Sequence, residues 1–288
     1  MTTLTADRTP VPASSLPPLE RAHVTFPRVV ASEWIKFRSV RSTVWTLAIT
    51  VLLMVGISVL LGWGVTTMAD AEESGTGGQG VTDLLTAGYF FAQLTVAVLG
   101  VLAVTAEYST GMIRSTLAAV PTRVPALMAK ALVVTGVVAV VGVVALALAH
   151  VATLPFQSTL GLSLDLGDAS TMRVLLGTPL YLATVALLAF AIGAVLRHSA
   201  GAIATILGLM LVVENVFALV PLAFFQNVSP FLPSTAGARL LMSDSRIEAV
   251  DAFTHGAHLT PWQGYGVLLA WALVLLTLAV VLLRRRDA

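Results

Sequence analysis

Six apolar runs of about 20 residues, at about 44 to 64, 86 to 106, 130 to 153, 174 to 196, 200 to 221 and 263 to 283, alternate with polar connections along the chain. A helix rises about 1.5 Å per residue, so each run is long enough to cross a hydrocarbon layer roughly 30 Å thick. Polar positions inside the runs are too sparse for the one-sided stripe of a soluble amphipathic helix, and the pattern predicts six membrane-spanning helices. Only Arg197, His198 and Ser199 separate the fourth and fifth runs, which predicts a tight helical hairpin.

Ahead of the first run the pattern changes twice. Residues 1 to 27 hold five of the chain's 13 prolines, with Thr and Ser and no hydrophobic period, and read as a disordered cytoplasmic tail before a transmembrane domain over 28 to 288. From Arg28 to Thr43, Val30, Trp34, Phe37 and Arg41 recur at i, i+4, i+7 and i+11, with Lys36, Arg38 and Arg41 as a basic flank and Glu33 beside them. This predicts an amphipathic helix lying in the inner interface, the alternative being an extension of the first span. The first run lies too far along the chain, behind six basic residues, to be a cleaved signal segment, and reads as a retained span.

Composition supports the same class. The chain is 57% apolar and 11% charged, against about 25% charged in soluble domains, and its mean hydropathy is +0.91. With no cysteine there is neither a disulfide framework nor a thiolate ligand or nucleophile. The basic residues are scattered between spans, which argues against a nucleic-acid stripe. They are also asymmetric: the N-terminal segment, the second connection (Arg114, Arg123, Lys130), Arg197 and Arg284 to Arg286 form one side. Only Arg173, Arg239 and Arg246 fall on the other. By the positive-inside rule both termini of this multi-pass chain are expected to be cytoplasmic, and arginine outnumbering lysine 14 to 2 hints at a bacterial genome and so at a bacterial plasma membrane. The loop 65 to 85, with Asp70, Glu72, Glu73 and Asp83 and no base, agrees as an outward loop.

Within the runs, Gln93, His150, Tyr181 and Glu214 are the notable polar side chains. Glu214 is the costliest, about 2.5–3.5 kcal/mol at mid-helix, so it is expected to face a neighbour or cavity. Gln93 and Glu214 are candidate pathway residues; Glu214 also reads as a glutamate placed where the fifth span breaks before Pro221. Small residues at four-residue spacing (Ser58 and Gly62, Ala189 and Gly193, Gly201 and Thr205, Ala204 and Gly208) predict close helix approach. The connection from 222 to 262 carries Phe224, Phe225, Phe231, Leu232, Leu240, Leu241 and Met242, too apolar for a solvated linker. It predicts short or re-entrant extracellular helices between the fifth and sixth spans.

The insert EYSTGMIRSTLAAVPTR, residues 107 to 123, is the polar, helix-compatible connection on the cytoplasmic side. Glu107 ends the second run, Ser109 and Thr110 are placed to cap a new helix, Met112, Ile113 and Leu117 give it an apolar side, and Pro121 ends it. From pattern alone, a partner-docking helix and a plain loop both remain open.

ASEWIKFRSVRSTVWTL, AEYSTGMIRSTLAAVPTR, AKAL and PWQGYGVLLAWALVLLTLAVVLLRRRDA together resemble the ABC-2 type permease family, above all the six-span membrane subunits of actinobacterial ABC exporters. The resemblance implies an interfacial elbow helix (Glu33, Trp34, Lys36, Arg38, Arg41) and a coupling helix that docks on a separate ATPase (Glu107, Gly111, Arg114, Ser115, Pro121, Arg123). It further implies two ATPase copies that bind ATP and Mg, a second permease copy or paralogue, and export. The sequence has its own reason to need such a partner: neither Lys36 nor Lys130 follows a glycine-rich G-x-x-x-x-G-K-[ST] loop, so ATP-driven work requires another chain. The chain reads as a transport subunit without catalytic residues, metal or cofactor of its own, carrying a hydrophobic or amphiphilic cargo. An ion-coupled secondary transporter is the alternative. An intramembrane enzyme is disfavoured, because Ser58 has no histidine at its depth and Glu72 and Glu73 lie in a loop.

Overall fold

The computed structural model describes residues 25–69, 80–112, 124–253 and 256–285. Among them it is all-helical, and six helical segments are long and apolar enough to cross a membrane. Helix α1 (Phe26–Ser39) precedes α2 (Arg41–Ala69), with a break at Val40, whose extended backbone (ψ 113°) separates the two. A short α3 (Val81–Thr86) leads into α4 (Tyr89–Ser109), and together they form the second span. Then come α5 (Val124–Thr159), α6 (Ala169–Leu196) and α7 (Ser199–Leu207). A π-helical segment, Gly208–Val213, joins α7 to α8 (Glu214–Leu219) within the fifth span. The sixth span is α12 (Pro261–Arg285).

All six sequence-derived spans are present, most of them longer by several residues at their ends. The hairpin after α6 is as tight as expected. Arg197 adopts the left-handed conformation (φ 56°), and the His198 ring nitrogen accepts from the Gly201 N–H at 3.1 Å to cap α7. The amphipathic helix predicted from Arg28 to Thr43 forms as α1 but stops at Ser39; Arg41 stands across the break as the first residue of α2.

The core is built around α6, most of which is buried, whereas little of α2 is. It packs against α4, α5, α7 and α12. Gly100 of α4 lies so close to the Ala186 carbonyl that a Cβ there would sit 2.3 Å from the oxygen, so the two backbones touch without side chains between them. Of the four small-residue pairs, Gly62 meets Phe156 and Gly193 meets Val104. The two pairs on the fifth span do not pack as expected: Ala204 and Thr205 are exposed and Gly208 has open space where a Cβ would go.

One end of the bundle collects the end of α4, the start of α5, and the ends of α6 and α12, where Val104, Leu127, Ala194 and Leu283 share a cluster. Helix α1 lies against this end through Val29, Ala126 and Ala129. The other end is covered by the long connection. This folds as α9 (Ala223–Val228), a turn of 3-10 helix, α10 (Pro233–Ala238), a second such turn at Arg239–Leu241, and α11 (Asp244–Phe253). The short helices expected there are present. Ala236, Leu240 and Leu241 are buried against α6 and α12, and a Cβ on Gly264 would lie 2.2 Å from the Ala236 carbonyl oxygen. Phe224 and Phe231 instead remain exposed.

Candidate functional site

At the α1 end the chain's only two lysines meet two glutamates in a closed ring. Lys36 Nζ lies 2.7 Å from Glu33 Oε1 and 3.4 Å from Glu107 Oε1; Lys130 Nζ lies 2.6 Å from Glu107 Oε1 and 2.8 Å from Glu33 Oε2. Each ammonium bridges both carboxylates, and the ring joins α1, α4 and α5. Glu33 and Glu107 are buried at 3% and 5% exposure. Two carboxylates out of water are tolerable only when paired, and the two lysines supply that pairing. Burial pulls the Lys36 ammonium down, but its hydrogen bond to Glu33 and the charges of Glu107 and Glu33 outweigh it and leave the pKa raised.

The ring changes the reading of Glu107, which points into the protein instead of presenting its charge to a partner. Ser109 and Thr110 also differ from expectation. They finish α4, both hydroxyls donating to the Ala106 carbonyl at 3.1 and 2.8 Å, and the helix they were read as capping lies outside the described residues. Gly111 comes next with φ 71°, a left-handed residue that ends a helix and that glycine adopts without a Cβ penalty. Arg114, Ser115, Pro121 and Arg123 lie outside the described residues. Along α1, Trp34 and Arg38 are exposed, so the apolar stripe read from sequence is only partly buried, through Val30 and Phe37.

A cavity of about 410 Å³ opens beside the ring, walled by Phe37, Val40, Leu99, Leu102 and Val133 and floored by the ring's four charged residues. Nearby, the hairpin is tied to the end of α4: the Arg197 guanidinium sits 5.3 Å from the Tyr108 ring centroid and the Ser199 hydroxyl donates to Thr105 Oγ1 at 2.9 Å.

The other two sequence candidates meet at the covered end. Glu214 Oε1 accepts from the Ser234 N–H at 2.9 Å, and Oε2 accepts from the Thr235 N–H and hydroxyl, each at 2.8 Å, and from the Ser234 hydroxyl. The glutamate therefore closes the first turn of α10 as well as sitting within the fifth span. The π segment before it, where the Glu214 N–H reaches back five residues to Leu209, adds a residue to the turn and re-aims the side chains of α8. Gln93 Oε1 accepts from the Tyr181 hydroxyl, and Gln93, Tyr181 and Glu214 line one cavity of about 140 Å³. Sequence reasoning had Gln93, Tyr181 and Glu214 as separate polar points; it had no signal for Ser234 and Thr235, two small residues after a proline.

No group of three or more metal-ligating side chains gathers among the described residues. A scan against family models and a comparison with curated proteins both find no match for this chain.

Proposed function

We propose that this chain is the membrane-spanning permease subunit of an ATP-binding cassette transporter of the ABC-2 type. In this reading both termini are cytoplasmic, and the chain pairs with a second permease copy. It exports a hydrophobic or amphiphilic compound with ATP hydrolysed, with Mg, on two partner subunits.

The observation that carries the reading is the ring of Glu33, Lys36, Glu107 and Lys130. A motor outside the membrane must push on a surface segment and have that push reach the spans. The insert 107 to 123 begins in the last turn of α4, where Glu107 stands, and is followed by α5 from Val124, with Lys130 in its second turn; α1 is clamped to both by the same ring. A displacement of the insert is thereby passed to three elements together. The ion-coupled alternative would call for a relay of ionisable groups within the spans, and the cavity at Glu214 is lined by no second acidic or basic side chain among the described residues.

The test separates docking from anchoring. Arg114→Glu with Arg123→Glu abolishes stimulation of the partner's ATP hydrolysis in the reconstituted complex while membrane insertion stays intact. Full stimulation by the double variant would refute the coupling role of the insert.

A further inference from the structure

We infer that the cavity between the start of α4, the π segment and α10 is a binding site for a small amine bearing a neighbouring hydroxyl, an amino alcohol or the amino-sugar part of a larger amphiphile. Its volume, about 140 Å³, far exceeds the roughly 10–15 Å³ that one water needs on the same measure. Glu214 contributes a carboxylate, and among the described residues no Lys, Arg or His lines the walls to balance it. Four hydrogen bonds to Ser234 and Thr235 hold that carboxylate in place, so it cannot swing away to find a base. Arg246 of α11 is engaged with Asp83 at 3.4 Å. A fixed carboxylate with no counter-cation in the cavity wall attracts a cation.

The second requirement comes from Gln93. Its Oε1 is occupied by the Tyr181 hydroxyl, while its Nε2 has no hydrogen-bond partner among the described residues although the side chain is only 3% exposed. Gln93 lines the cavity, so this amide remains available to donate to an oxygen on the ligand. An amine alone would leave that donor unmet, and a diol alone would leave the charge unmet. The rings of Tyr89 and Tyr181, 6.1 Å apart and edge to face, complete surroundings suited to an ammonium. Phe90, Asn215 and Ala218, all exposed, form the mouth through which an apolar remainder of the ligand would extend.

Binding is measurable on the purified chain in lipid nanodiscs, with empty nanodiscs as the blank, and needs no ATPase. A failure here therefore leaves the permease reading standing, and the absence of an ATPase leaves this site standing. At pH 7 the probes are 1-amino-2-hexanol, hexylamine and 1,2-hexanediol. The expected order is amino alcohol first, amine weaker by roughly tenfold and diol weaker still, each tenfold step being one hydrogen bond or charge contact. Gln93→Leu erases the preference for the amino alcohol over the amine but keeps amine binding. Glu214→Gln, checked for folding by thermal unfolding, erases the preference for the amine over the diol. Equal binding of all three probes by the wild-type chain overturns the proposal even if neither variant folds, as does an unchanged order in folded variants.

Discussion

Lys130 is the more enclosed of the ring's two cations, with 11% of its side chain exposed against 35% for Lys36. Removing it strands Glu33 and Glu107 together in a buried position. Lys130→Met is therefore expected to cost about 3–5 kcal/mol, the usual range for leaving a buried partner unpaired, and Lys36→Met clearly less. Adding Glu107→Gln to Lys130→Met recovers part of the loss, because the neutral amide no longer needs a counter-charge; thermal unfolding in detergent reads all three. At the opposite end Arg239 grips Asp251 with two hydrogen bonds, 2.9 and 2.8 Å, and His258 lies 3.1 Å away. The hydrogen bond from Arg239 holds the Asp251 carboxyl below its ordinary range, with His258 adding to the effect. A depressed carboxylate pKa contributes stability above the unfolded value, about 3.9, which is lost as pH falls through the folded value. Asp251→Asn is expected to flatten the acid side of a melting-temperature profile between about pH 2 and 5, relative to wild type.

At the level of elements, the contrast between what the pattern foretold and what it did not has a physical cause. Six spans were legible because crossing a membrane demands some 20 apolar residues in a row, a local property of the sequence. The apolar residues of the 222 to 262 connection likewise announced their helices, since Leu240 and Leu241 had to be buried somewhere. The ring was not legible, because Lys36, Glu107 and Lys130 are brought together by packing across 71 and 23 positions of sequence. The isolation of the only two lysines beside apolar runs was the one available hint. Nor was the π segment, since shifting a hydrogen bond from i−4 to i−5 leaves hydropathy unchanged. Its consequence is testable. Deleting Val212 restores an α-helical count and turns Glu214 by about 100°, away from Ser234 and Thr235. The variant is expected to melt earlier than a control lacking a residue of the 160 to 168 loop, as read by thermal unfolding. A methyl at Gly264 would meet the Ala236 carbonyl at 2.2 Å, so Gly264→Ala is expected to destabilise the packing of α10 on α12 by about 1–3 kcal/mol.

Across the whole molecule, a well-buried α6 is surrounded by spans that keep much apolar surface outward, with one end tied by charges and the other covered by short helices. In the proposed function the ring would transmit the push at one end, while Glu214 fixes the cover at the other. The central claim, that an external ATPase works on this chain through residues 107 to 123, is tested most directly by purifying the tagged chain from the membranes of its native host. The account predicts that a protein with a G-x-x-x-x-G-K-[ST] loop and ATPase activity co-purifies with the wild-type chain and is lost from the Arg114→Glu, Arg123→Glu variant. Recovery of the intact, membrane-inserted chain with no nucleotide-hydrolysing partner would contradict it.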